Sequence, residues 1–409
     1  MRTILAGVRL IDGVADGATG PVDIETDGDR IAAIRRSGEG PTDTDDAASR
    51  ARPETEVIDG RGWTALPGLI DAHAHYTFDP TEGSLQAIAV RSDEAILAAA
   101  ARHAGLALRA GVTTARGAGS IRGLELVLRD RIAAGEAAGP RLIAAGLAVG
   151  AVEGHGTAFG VEATGPAALA VATHALIDRG ADVVKIVASE AAMLTTTGHE
   201  PGRMVFGRAE LTEDELRAIV EVAHARGRRV MAHAQDYESV IRCAQAGVDS
   251  VEHAWLADEA AIEVLAASGA ALVPTLGVTD VNRTLPGLTP AQRERQDLIE
   301  RRHRASTETA VRLGIPLATG TDTGEVGVTA DHVWREIVLL REHGASSMVA
   351  IRAATSSAAR LLGVASQTGT IAVGMLADIV CVEGDPLADL ERLAAPRLVM
   401  QAGRIVTDA

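Results

Sequence analysis

From Leu66 onward the chain alternates short runs of Val, Ile, Leu and Ala with longer stretches of apolar residues at helical spacing. The short runs predict strands at Gly68–Ala72, Val112–Ala115, Arg141–Ala145, Val183–Ala188, Arg229–Ala232, Ser250–Glu252, Ala271–Pro274 and Pro316–Thr319. The longer stretches predict helices such as Asp93–Ala110, Ala167–Arg179, Glu213–Arg226 and Arg293–Leu313. "LTEDEL" at Leu211–Leu216 reads as a helix start, with Thr212 as N-cap and Glu215 closing a capping box. Gly180, Gly227, Gly247, Gly269 and Gly314 each follow a helical stretch, where a terminating glycine belongs. Strands and helices in this alternation, over roughly 300 residues, predict the α/β class and a (β/α)8 TIM barrel.

The two ends of the chain are patterned differently. Thr3–Leu10, Val22–Glu25 and Arg30–Ile34 read as short strands, with a hairpin signal at Asp27-Gly28. Residues 37–55 are polar and read as a mobile loop, and Glu56–Asp59 and Trp63–Leu66 follow as strands. After Gly369 short strands return at Asp378–Val382, Arg397–Gln401 and Arg404–Val406. The expected organisation is a composite β-sandwich domain from residues 1–65 and 366–409 flanking a barrel of residues 66–365. Two unrelated β extensions are the alternative.

Composition narrows the chemistry. Of 409 residues, 47% are hydrophobic but 2% aromatic, so the core must be aliphatic. The formal net charge is −16, which argues against nucleic acid or an anionic membrane as partner. Cys243 and Cys381 lie far apart in no motif, so no disulfide framework is implied. The apolar start is broken by Gly7, Arg9 and Asp12, and no membrane-length apolar run occurs. The expectation is a soluble, cytoplasmic protein, a homo-oligomer acting on a small-molecule substrate.

In an α/β barrel the chemistry sits at the C-terminal ends of the strands. There the chain places His73 and His75, Lys185, His233 in "VMAHAQ", His253 in "SVEHAW" and Asp322 in "LATGTD". A lone histidine at a strand end is more often a hydrogen-bonded core residue, a strand lysine often snorkels, and Asp322 also resembles a helix cap. Together, six residues of ligand type at one end of five strands predict a metal centre. Imidazole and carboxylate donors suit zinc or a similar cation. A lysine cannot ligate as an ammonium. As a carbamate formed with carbon dioxide it becomes an anionic oxygen ligand able to bridge two ions. Two such ions can share a hydroxide, a nucleophile at neutral pH.

On "LPGLIDAHAH", the order His-x-His, Lys, His, His, Asp, and the ending "GTIAVGMLADIVCVEGDPL", the whole chain resembles the amidohydrolase superfamily. "GADVVKIVASE", "LRAIVEVAHARGRRVMAHA" and "AGVDSVEHAW" resemble its imidazolonepropionase-related, Xaa-Pro-dipeptidase-like branch, with carboxylated lysine. The resemblance implies that His73, His75 and Asp322 bind the more buried of two divalent ions, His233 and His253 the second, and that carboxylated Lys185 bridges them with a hydroxide. It implies Asp322 as proton acceptor and donor. His155, in "VEGHGT", matches an element expected to touch the substrate carbonyl, or else merely orders its loop. The implied reaction is hydrolysis of a C–N bond in a dipeptide or N-acyl amino acid.

Three departures face the substrate. Gln235 stands where the branch often has Tyr or His, Arg116-Gly117 replaces Arg-Asp, and Ser189-Glu190-Ala191 replaces a Gly-rich turn. Gln235, Glu190 and Arg116 are therefore candidate substrate-binding residues, with Arg203 and His332 as further carboxylate anchors. Cyclic amides, lactones, carbamates and xenobiotic aryl amides are alternative substrates, and a non-catalytic scaffold would have lost at least one ligand.

Overall fold

A computed structural model describes residues 2–38, 55–81, 85–190 and 208–408. Most of the loop expected at 37–55 lies outside those residues, as do Ala191 and Arg203.

Both chain ends enter one eight-stranded sheet. Arg2–Leu10 pairs antiparallel with Thr19–Asp27, which turns at Gly28 into Arg30–Arg36. Along its other edge, Arg2–Leu10 meets first Thr55–Asp59 and then Trp63–Pro67, both parallel. Trp63–Pro67 then pairs with Ile379–Glu383 from the far end of the chain, followed outward by Leu398–Gln401 and Arg404–Asp408. Alternation, shifted by an irregularity between Leu5 and Val8, sends Leu5, Val8 and Leu10 into a buried cluster shared with Ile24, Ile379, Cys381 and Met400.

The middle of the chain is built of parallel strands. Leu69–Ala74, Val112–Gly117 and Arg141–Ala144 form one sheet. Ala148–Gly150, Val183–Val187, Arg229–Asp236, Ser250–Leu256 and Ala271–Val273 run in order through a second, with Gly160–Glu162 beside Ala148–Gly150. Ala148–Gly150 and Gly160–Glu162 were not expected, because their Gly-containing stretches carry little strand signal.

The expected strand Pro316–Thr319 is not regular. It makes an isolated bridge at Leu317, and its Thr319 N–H turns to the Ala353 carbonyl. Pro316 has no N–H to offer a ladder. The segment still joins the two sheets: the Leu272 N–H donates to Pro316, the Ala72 N–H to Thr319, and the Asp322 N–H to the His73 carbonyl. At the other junction, the Asp182 N–H donates to Ala144.

Helices lie between the strands. Glu213–Ala225 begins with the complete Thr212/Glu215 capping box and buries Leu216, Ile219, Val220 and Ala223, one face at helical spacing. Gly180, Gly227, Gly247, Gly269 and Gly314 all take positive φ, between 67° and 100°. Cys243 and Cys381 are free and buried. No helix among the described residues is long and apolar enough to cross a membrane.

Candidate metal centre

The strand "LIDAHA" is buried along its whole length, and His73 and His75 emerge at its end. His73 lies 5.4 Å from His75 and 4.9 Å from His253, centroid to centroid. His253 lies 4.5 Å from His233, which lies 5.1 Å from His155. The imidazoles thus form a row across the ends of the strands. Asp322 sits beside it, its Oδ1 3.3 Å from His73 Nε2 and 3.5 Å from His75 Nε2. Donor atoms of His73, His253 and Asp322 all lie within 4.8 Å of one another. Lys185, mid-strand among Val and Ile, brings Nζ to 3.5 Å from His73 Nε2.

This donor set fits a metal. The Nδ1 atoms of three of these imidazoles are already bonded. His73 Nδ1 lies 2.7 Å from Glu252 Oε2, His75 Nδ1 2.8 Å from the Gly119 carbonyl, and His253 Nδ1 2.8 Å from Thr275 Oγ1. Such bonds orient an imidazole and free its Nε2 for a cation. His233 Nε2 is buried with no hydrogen-bond partner among the described residues, and an orphaned lone pair is costly unless something occupies it. Burial pushes His75 down to about 3, and holds His233 and His253 well below the usual imidazole range. All three are therefore neutral, the form that ligates.

The backbone is distorted here. His253, Ala254, Thr275 and Asp322 take φ of 75°, 50°, 54° and 56°. Each such non-glycine residue costs about 1–3 kcal/mol, a cost that tends to persist at functional sites. Gly320 permits the close approach of this segment, since a Cβ there would meet His73 Cβ at 2.6 Å.

Buried acids stand behind the row. Asp71 accepts the His73 and Thr321 N–H groups and the Thr321 hydroxyl. Glu125 accepts the Gly146 N–H at 2.6 Å. Glu336 accepts the Leu276 and Gly277 N–H groups next to Thr275. Glu252 meets Arg116 at 3.0 Å. Sequence reasoning passed over these carboxylates. Their one visible signal is an acid inside an apolar run, as in "SVEHAW".

The expected substrate residues divide. His155 faces His233, and its peptide N–H is held by Glu210 at 3.0 Å. Gln235 is buried two residues beyond His233, its N–H on Ser189 Oγ. Glu190 lies near the edge, 3.7 Å from the exposed Arg208. Arg116 is buried inside Val112–Gly117, and its guanidinium donates to the Ala72 carbonyl, Ser250 Oγ and Glu252 Oε1. His332 is half-buried at the start of Val333–Glu342.

Phe78 stacks on His75 at 4.3 Å, and Phe159 meets both rings edge-on. In a chain with 2% aromatics, this wall marks the site.

The model of the amidohydrolase family matches residues 64–406. This chain belongs to the amidohydrolase family. Ochratoxinase of Aspergillus niger is 28% identical over 364 residues, covering 82% of this chain and 73% of that protein. Imidazolonepropionase of Rubrobacter xylanophilus is 28% identical over 393 residues, 89% of this chain and 85% of that protein. The crystal structure of a Xaa-Pro dipeptidase with bound methionine in the active site is similar at TM-score 0.85 and 27% identity, over 100% of both chains. The likeness falls in the imidazolonepropionase and Xaa-Pro dipeptidase branch, and this amidohydrolase is a hydrolase of carbon–nitrogen bonds.

Proposed function

We propose that the parallel strands close as a (β/α)8 barrel over residues 66–365, and that residues 1–65 and 366–409 form one β-sandwich domain beside it. The shared buried cluster of the end sheet and the hydrogen bonds of Pro316–Asp322 to both neighbours support this reading.

At the strand ends the site is that of a binuclear hydrolase. His73, His75 and Asp322 would hold one divalent ion, His233 and His253 a second, with zinc best suited to the donors. Lys185 would bridge them as a carbamate. Burial pushes its amine down to about 8, which populates the neutral form that adds to carbon dioxide. When bound, such a pair acidifies water and polarises a carbonyl. Asp322 then shuttles a proton between the attacking water and the leaving nitrogen. His155, beside His233, donates to the substrate carbonyl as negative charge develops on it. Phe78 and Phe159 exclude water from the His75 side.

The observation that carries the reading is the orphaned His233 Nε2 in line with three imidazoles whose Nδ1 atoms are satisfied. The substrate is an amide of a small molecule, such as a dipeptide or N-acyl amino acid. One finding favours a second reading: with Arg116 spent on Glu252, the site has lost an expected anchor for a free carboxylate. This speaks for a cyclic amide, lactone, carbamate or xenobiotic aryl amide. Hydrolysis of matched panels by zinc-loaded protein tests both. Turnover confined to substrates with a free carboxylate supports the first, and turnover of neutral amides alone the second. No turnover of either panel would contradict the hydrolase assignment for these classes.

A further inference from the structure

Arg116 and Glu252 form a buried ion pair that the hydrolytic scheme does not use. They sit on strands Val112–Gly117 and Ser250–Leu256, at 1% and 0% exposure. Glu252 Oε1 accepts from Arg116 at 3.0 Å and from Ser250 Oγ at 2.5 Å. Its other oxygen lies 2.7 Å from His73 Nδ1. Arg116 also donates through Nε to the Ala72 carbonyl at 2.7 Å and through Nη1 to Ser250 Oγ at 3.1 Å.

Buried ion pairs are weak devices for stability. Apolar residues of similar volume often do as well or better. In a core built mainly of Ala, Val, Ile and Leu, this pair needs another reason. The geometry supplies one. Both ring nitrogens of His73 face a carboxylate, Nδ1 that of Glu252 at 2.7 Å and Nε2 that of Asp322 at 3.3 Å, and the shorter contact places the proton on Nδ1. His73 Nε2 then faces the space beside Lys185 Nζ and Asp322 Oδ1, where a cation would accept its lone pair. His75 and His253 are oriented by neutral oxygens, a carbonyl and a hydroxyl. His73 alone among these three is backed by a charged acceptor, and it is the imidazole closest to both Asp322 and Lys185. A charged acceptor raises the donor strength of the opposite nitrogen more than a neutral one does.

We propose that Arg116 and Glu252 are positioning residues for the metal centre: Glu252 fixes the His73 tautomer and strengthens its Nε2 as a donor, and Arg116 clamps Glu252 in place against Ala72 and Ser250. Neither touches substrate. The inference rests on the reading of His73 as a metal ligand.

The test is metal affinity, measured on chelator-stripped protein titrated with zinc against a chromophoric chelator, and with cobalt followed by its visible spectrum. Glu252→Gln keeps the shape and removes the charge. The pair Arg116→Met with Glu252→Leu replaces both charges by apolar volume. The double variant is expected to keep the circular dichroism and melting temperature of the stripped wild type, and Glu252→Gln to keep the circular dichroism but melt lower, because Arg116 loses its countercharge. Zinc affinity at the tighter site should fall about 10–100-fold, with an altered cobalt spectrum, and Glu252→Asp should recover part of the loss. Wild-type zinc affinity in a folded Glu252→Gln or double variant would overturn the inference. Wild-type protein that binds neither ion would overturn the metal reading itself, a different result.

Discussion

The sheet made from the chain ends and the cluster at the ends of the parallel strands are both buried, and they are buried in opposite ways. The end sheet hides Leu5, Ile24, Ile379 and Met400, and its charged pairs, such as Arg2–Glu25, stay partly exposed. The cluster hides histidines, a lysine, an arginine and carboxylates, and it bends the backbone at His253, Thr275 and Asp322 into the left-handed region. One region follows the rules that lower free energy. The other breaks them at several adjacent positions. A fold tolerates such a concentration of cost where a ligand or a reaction uses it.

Substitutions in the two regions should therefore fail differently. Lys185→Ala carries the largest expected effect: hydrolysis falls to background while the melting temperature of the metal-stripped protein holds or rises, because a buried amine has been removed. Formate or acetate should restore part of the rate by supplying the missing anion between two cations. Full activity without added acid would make Lys185 structural. In the end sheet, Ile379→Ala leaves a cavity and should lower stability by about 2–5 kcal/mol, read from denaturant unfolding, with kcat of the folded protein unchanged. A large loss of kcat there would erase the contrast.

His155→Ala should raise the barrier by about 3 kcal/mol, roughly a 10²-fold loss in kcat with stability unchanged. Near-normal kcat and KM would remove His155 from the substrate. The smallest effect concerns Glu210, which holds the His155 peptide. Burial pushes its carboxyl up to about 7 from its ordinary 4.5. The folded protein then binds this proton more tightly than the unfolded chain. Stability from this group is highest below pH 4.5 and declines as pH rises to about 7. Glu210→Gln should flatten that part of the melting-temperature profile, and an unchanged slope would show that Glu210 does not titrate there.

The strands were legible because their Val-, Ile- and Leu-rich runs are punctuated by glycine after each helix. The ligand-type residues were legible because they recur at strand ends, where alternation alone tells which way they point. What sits behind them was not. Glu252 reaches His73 across 179 positions of sequence, and no local pattern says that the two strands face each other. Arg116 was expected at the mouth because its strand was expected to stop at Ala115; the strand runs on to Gly117, and the carboxylate that Arg116 meets lies on another strand. The irregular Pro316–Thr319 segment escaped because the bonding of a proline start and of a Thr319 N–H that turns to Ala353 depends on tertiary neighbours.

The divalent metal content of active protein, purified without chelators, tests the central claim most directly. Elemental analysis should return about two equivalents per chain, with hydrolysis lost on stripping and regained on zinc addition. A stoichiometry of one or fewer in fully active protein would contradict the binuclear reading.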